Sequence, residues 1–304
     1  MTQTRAITSV VARTARRIGL GDTATRVGPW ELVSLAAEGV LARVYRARPA
    51  GAPRDVAASY ALKLLRPEWV NDGRAVGLIR REAIVGRQVA NPHVVPVLAA
   101  GIGEPPYYVV TPWLEGATLA TRLARGDRFD LPVALWIARQ VAEALEGITA
   151  AGWMHGDVKP ANILISPSGH ATLIDLGFAR HRDEGGSIIE RYVAGTCSYA
   201  APELLTSALR PDIRSDIYSL GVVLYEMLAG RLPFEAQTLA ELVEQHQRAR
   251  PAKLRVLAPE VPRAVARFVH QMLAKEPLRR PQTPREAVMR LAAMEIETFS
   301  ERAL

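Results

Sequence analysis

The hydrophobic pattern of this chain changes period once, near Pro112, and that change limits what it can fold into. Between Trp30 and Thr111 the apolar residues come in short runs and alternations typical of strands. Trp30–Leu35, Leu41–Ala47, Ala57–Leu65, Val94–Ala99 and Tyr107–Thr111 read as five strands, with one helix over Ala75–Ala90. After Pro112 the spacing becomes helical: Ala134, Ile137, Val141, Leu145 and Ile148 mark one face of a helix over Leu131–Ala151, stopped at Gly152. Further helices are expected at Ile213–Ala229, Leu239–Arg248, Pro262–Leu273 and Pro284–Ile296, with short strands at Ile163–Ile165 and Ala171–Ile174. The fold class is therefore α+β: a small five-stranded lobe with one helix (30–111), then a larger, mainly helical lobe (112–296) and a short tail (297–304).

The 304 residues are enough to bury a large core, and 49% apolar with 23% charged residues is an ordinary globular balance. The longest apolar helix, Ile217–Ala229, is interrupted by Glu226 and falls short of the about 20 residues a bilayer needs. A single cysteine, Cys197, excludes an internal disulfide and points to a reducing cytoplasm. Of the net charge of +7, residues 1–29 carry +4 (five Arg against Asp22), so the body is nearly balanced and nucleic acid is not an expected partner. Within that basic tail Ile7, Val10, Val11 and Ile18 share one helical stripe. Arg outnumbers Lys by 34 to 4, yet two of the rare lysines, Lys63 and Lys159, stand where a compact ammonium would meet a phosphate.

The densest chemistry lies in His155-Gly156-Asp157-Val158-Lys159-Pro160-Ala161-Asn162, followed thirteen residues after Asn162 by Asp175-Leu176-Gly177. Asp157 can accept a hydroxyl proton and Lys159 can neutralise a moving phosphate. Asn162 and Asp175 offer the hard oxygen ligands that Mg²⁺ prefers. Order and spacing resemble the catalytic and metal-binding loops of protein kinases, and a lysine two residues after the aspartate resembles the serine/threonine branch.

That resemblance covers about residues 30–293 and implies a bilobal fold, ATP and Mg²⁺ as cofactors, and protein Ser/Thr hydroxyls as acceptors. Lys63, at the end of Tyr60-Ala61-Leu62, matches the lysine that grips the nucleotide, and Glu82, nineteen residues on, its ion-pair partner. The glycine-rich loop corresponds to Ala37-Glu38-Gly39-Val40-Leu41-Ala42 with Val44 after it, and only the middle glycine remains. Thr111-Pro112-Trp113-Leu114 resembles the hinge, so the Pro112 carbonyl and the Leu114 N–H are expected to read adenine. The nucleotide site is thus expected from Ala37, Gly39, Val44, Ala61, Lys63, Glu82, Pro112, Leu114, Asn162 and Asp175. Catalysis is expected from Asp157, Lys159 and Lys63.

Three departures modify the expectation. Gly86 lies inside the helix of Glu82, where glycine costs about 1 kcal/mol relative to alanine, and predicts a loosely held helix. Gly156 replaces the arginine that in this family couples activation-segment phosphorylation to activity, and Ser187, Glu190, Tyr192, Thr196 and Ser198 are the polar residues of interest in that segment. The alanines flanking Gly39 predict weaker phosphate packing. Glu203 and Arg280 match a structural ion pair, Asp216 matches a brace for the catalytic loop, and Cys197 reads as a plain side chain before a redox-sensitive one. Two alternatives stand beside an active kinase: a scaffold with a degraded nucleotide site, and a small-molecule kinase of the aminoglycoside or choline type. A regulatory partner at the basic tail is a further candidate, and no transmembrane segment is expected.

Overall fold

The computed structural model describes residues 26–53, 55–184, 197–205 and 211–300. Six antiparallel strands form the first sheet: β1 (Arg26–Val27), β2 (Trp30–Glu38), β3 (Ala42–Pro49), β4 (Tyr60–Leu65), β5 (Ala99–Gly101) and β6 (Tyr108–Pro112). Their order is β1-β2-β3-β4-β6-β5. Register slips between Leu32 and Ser34 and between Leu35 and Ala37 bend the β2–β3 ribbon, as bulges do. Helix α1 (Gly73–Gln88) is capped by the Asp72 carboxylate, which accepts from the N–H groups of Arg74 and Ala75. Its face of Ala75, Val76, Ile79 and Ala83 packs on Val109 of the sheet and on Val97 and Tyr107 beside it.

The larger lobe begins with β7 (Ala117–Thr118) and α2 (Leu119–Ala124), then α3 (Leu131–Ala150) and the short strands β8 (Trp153–Met154), β9 (Ile163–Ile165), β10 (Ala171–Leu173) and β11 (Arg180–His181). Helices α4 (Ile213–Ala229), α5 (Leu239–Arg248), α6 (Leu254–Leu257), α7 (Arg263–Met272) and α8 (Pro284–Ser300) follow. The buried faces of α3 and α4 meet in one core with Phe268, Met272 and Leu291. Gly230 at φ 70° ends α4, the left-handed stop that glycine adopts without strain.

Three expectations need correction. The sheet has a sixth strand, Arg26–Val27, inside the stretch assigned to the tail, because Val27 is buried against Leu32 and Val110. Helix α8 continues past Ile296 into the stretch assigned to the C-terminal tail. Of Val94–Ala99 only Ala99 belongs to a strand, β5, and Leu98 N–H donates to Val110 O (2.8 Å); the backbone bonds of Val95 and Val97 go elsewhere. Val95 N–H donates to Leu173 O (3.0 Å), Leu173 N–H to His93 O (2.7 Å) and Val97 N–H to Gly86 O (3.0 Å). Asn91 Nδ2 donates to Glu143 O (3.0 Å), so the stretch stitches α1 to the larger lobe. Gly86, finally, has a packing role in α1 that the helix pattern did not announce. It is buried, and a Cβ there would collide with the Val97 side chain, so glycine permits close packing.

Candidate active site

Cross-strand pairs share a sheet face, and here they bring the expected nucleotide residues together. Ala37 pairs with Val44, Val44 with Lys63, and Ala61 with Thr111. Ala61 and Lys63, two apart on β4, point the same way. Ala37, Val44, Ala61 and Lys63 therefore line one surface, with Pro112 and Leu114 following at its end. Lys63 is costly on an apolar strand unless partnered. Its Nζ lies 2.8 Å from Glu82 Oε2 and 2.7 Å from Asp175 Oδ1. Burial works against its ammonium, but Asp175 and Glu82 override it and hold Lys63 above its ordinary value.

The two carboxylates diverge. Burial raises Glu82, reinforced by Asp175 and opposed by Lys63, whereas Asp175 is burdened by burial yet ends below its ordinary value under the pull of Lys63. Asp175 also takes a left-handed backbone, φ 64°, which Asp tolerates because its short polar side chain bonds locally. Here Oδ1 accepts from Gly177 N–H at 3.4 Å.

On the other wall, Asp157 is 4% exposed. Its Oδ2 meets Lys159 Nζ at 2.7 Å and accepts from Asn162 Nδ2 at 2.9 Å. Its Oδ1 is buried with no partner, the one orphaned carboxylate oxygen among the described residues. Burial pushes Asp157 up to about 6 against the opposing pull of Lys159, and Asp175 adds to the rise. Asn162 spends its amide N–H₂ on Asp157, both on Oδ2 and on the backbone oxygen, which leaves its amide oxygen for a cation. Asn162 and Asp175 thus supply two hard oxygens. Mg²⁺ fits such a set, since it takes one or two carboxylates and completes its shell with phosphate and water.

The loop from His155 to Asn162 is held from beneath. Asp216 on α4 accepts from His155 N–H at 2.7 Å and from Gly156 N–H at 2.8 Å, while burial pushes its carboxyl up to about 7. His155 is fully buried and its imidazole is pushed down to about 4 by burial, so it is neutral. Asp157 N–H donates to its Nδ1 at 3.2 Å, which leaves Nε2–H to donate to Ile174 O at 3.3 Å. Gly156 does more than omit an arginine. It sits at φ 77°, and a Cβ there would lie 2.7 Å from Phe178 O.

The glycine-poor hairpin is braced by residues that pattern reading missed. Arg66 Nη1 donates to Gly39 O (3.1 Å), Trp69 Nε1 to Val40 O (3.0 Å) and Arg43 Nε to Glu38 Oε1 (2.8 Å). Gly39 N–H closes the turn on Ala42 O at 2.8 Å. A basic and an aromatic residue just after Leu65 were the only signal, and nothing local says which carbonyls they seek. Thr111 Oγ1 donates to Pro112 O at 3.3 Å, the carbonyl expected to read adenine.

Glu203 and Arg280 meet as expected, at 2.5 and 2.8 Å. Ser198 and Cys197 are described, and Cys197 is 4% exposed with its thiol raised by burial, which favours the plain side chain. The expectations for Ser187, Glu190, Tyr192 and Thr196, and for the stripe on residues 1–25, lie outside the described residues. No helix among the described residues is long and apolar enough to cross a membrane.

A model of the protein kinase domain matches residues 31–290. A probable serine/threonine-protein kinase of Clostridium perfringens is 31% identical over 85% of this chain and 37% of its own length. Serine/threonine-protein kinase PrkC of Bacillus subtilis is 30% identical over 84% of this chain and 39% of its own. Serine/threonine-protein kinase PknD of Mycobacterium tuberculosis is 32% identical over 84% and 38%. The chain thus spans under two fifths of the length of these relatives. With an ammonium paired across one wall of the cleft, a buried carboxylate on the other and a matched domain of 260 residues (31 to 290 inclusive), the chain belongs to the protein kinase family.

Proposed function

We propose that this chain transfers the γ-phosphoryl group of ATP, with Mg²⁺, to a serine or threonine hydroxyl of a protein. The unpartnered Oδ1 of Asp157 carries the reading. A buried carboxylate oxygen without a donor is costly unless one arrives, and an incoming hydroxyl is such a donor. Lys159 and Asn162 fix the other oxygen, so Asp157 presents one lone-pair face in a set direction. Lys63, kept charged by Glu82 and Asp175, would bind the α and β phosphates. Asn162 and Asp175 would hold Mg²⁺, which supplies charge neutralisation at the phosphates when bound. Ala37, Gly39, Val44 and Ala61 would cover the nucleotide, and Pro112 and Leu114 would read its base. The small lobe is taken as 26–111 and the larger as 112–300, with a reducing cytoplasm as the compartment.

Two features favour the scaffold reading: alanines at 37 and 42 in the hairpin, and Gly156. The braces from Arg66 and Trp69 oppose it, since they fix that hairpin without glycines. Phosphate transfer to a Ser/Thr protein in Mg²⁺ should fall by roughly 10³-fold in Asp157→Asn. Equal rates in the two proteins would defeat the proposal. Wild type that gains thermal stability with ATP but transfers nothing would establish the scaffold, and preference for aminoglycosides or amino alcohols over protein would establish the small-molecule kinase.

A further inference from the structure

Three consecutive charged residues of α1 reach three different anchors, as a step of about 100° per residue allows. Arg80 donates from Nε to Ile102 O at 3.0 Å and lies 5.6 Å over the Tyr107 ring, on the sheet. Glu82 takes Lys63. Arg81, between them, crosses to the segment just after Leu176-Gly177-Phe178. Its Nη1 donates to Ala179 O at 2.7 Å and to Glu184 Oε2 at 2.5 Å, and its Nη2 to Glu184 Oε1 at 2.7 Å. This is a bidentate guanidinium–carboxylate pair, the geometry that adds direction to charge. Its side chains keep 21% and 27% of their exposure, so solvent screens it only in part. Glu184 is itself set by the backbone: its N–H donates to His181 O at 2.9 Å.

The pair has a counterpart in what is absent beside Asp157. Gly156 offers no cation, and the Phe178 carbonyl crowds the place where a side chain would begin. A permanent carboxylate at 184 already occupies an arginine of the helix that carries Glu82.

We propose that Arg81 and Glu184 are positioning residues whose ion pair holds α1 where Glu82 meets Lys63, so that the cleft is assembled without phosphorylation. The inference rests on the phosphotransfer reading. Breaking the pair lowers the fraction of molecules in which Lys63 is set, and ATP binding restores it, so the defect falls on KM for ATP rather than on kcat.

The test uses the full chain, treated with phosphatase, with Arg81→Gln, Glu184→Gln, the double variant and the exchange Arg81→Glu with Glu184→Arg. KM for ATP should rise about tenfold in each single variant, with kcat within about twofold, and no further in the double. The exchange should recover part of that loss, since the bond to Ala179 O is not restored. A role in stability alone would lower the melting temperature and leave KM where it was. Hydrogen exchange over residues 73–88 should quicken in Arg81→Gln, a readout that does not depend on activity. Unchanged KM and unchanged exchange, in a wild type that transfers phosphate, overturn the clamp and leave the function standing. A wild type without transfer defeats the function, and exchange over 73–88 still decides the clamp.

Discussion

Two ion-paired centres in this molecule look alike in sequence, a cation and a carboxylate far apart in the chain, and differ in what they leave undone. At Arg280 every nitrogen has an acceptor: Nε on Ala274 O, Nη1 on Glu203 and Arg214 O, Nη2 on Glu203 and Lys275 O. Ser215 Oγ adds a bond to Glu203, and the two charged side chains are 0% and 3% exposed. At Lys63 one ammonium is divided between two carboxylates, and its own side chain remains 23% exposed. Across the cleft a second ammonium, that of Lys159, meets Asp157. Two ammonium groups (63, 159) against three carboxylates (82, 157, 175) leave one negative charge in excess. A saturated pair holds structure together; an unsaturated one has capacity for a cation and a phosphate.

That contrast breaks most sharply under truncation. Arg280→Met strands a buried Glu203 and should cost about 3–5 kcal/mol, read from the denaturant midpoint. Lys63→Met strands Glu82 but leaves Asp175 open to solvent, so it should cost less, about 1–3 kcal/mol, while phosphate transfer falls by roughly 10²–10³-fold. Equal losses of stability would abolish the distinction.

Acid titration sharpens it next. Asp157 stands near 6, above its ordinary 3.8, because of burial, and only its ionised form accepts a proton. Transfer should fall about tenfold for each pH unit below about 6. The stability linked to this raised group runs the other way: it is complete below the unfolded value of 3.8 and is lost as pH rises through 6. A kcat/KM profile flat down to pH 4 would contradict the assignment.

The smallest effect separates two glycines of α1. Gly86→Ala should destabilise by about 1–3 kcal/mol because its methyl meets Val97, whereas Gly77→Ala, with nothing within 4 Å, should stabilise by about 0.5–1 kcal/mol. Thermal melts of the pair decide it, and a gain at both positions would favour the picture of a loose helix.

The cluster of Lys63, Asp157, Lys159, Asn162 and Asp175 was legible because the chemistry expected of it requires particular residue types at short separations, as from Asp157 to Asn162, or an ammonium in an apolar strand, as at Lys63. Long-range pairing was not. Val94, Val95 and Val97 are as apolar as a strand, but the hydrogen bonds of Val95 and Val97 run to Leu173 and Gly86, which no local pattern announces. Propensity did not explain Gly86, since the cost of a helical glycine says nothing of the neighbour that needs the space. Gly156 was read as a missing arginine, although its φ and the nearby Phe178 carbonyl set the requirement. Arg81 was in plain view beside Glu82, but its partner lies 103 positions along the chain.

The stitching of residues 91–97 has a mechanical consequence. It fastens the inner end of α1 to the floor of the molecule through Leu173 and Glu143, while the sheet continues into that floor by way of Pro112. Two seams define a line, and rotation about that line is opposed by the side-chain links Lys63–Asp175 and Arg81–Glu184. Swinging about it alters the gap between Lys63 and Asp157 while sparing the seams themselves.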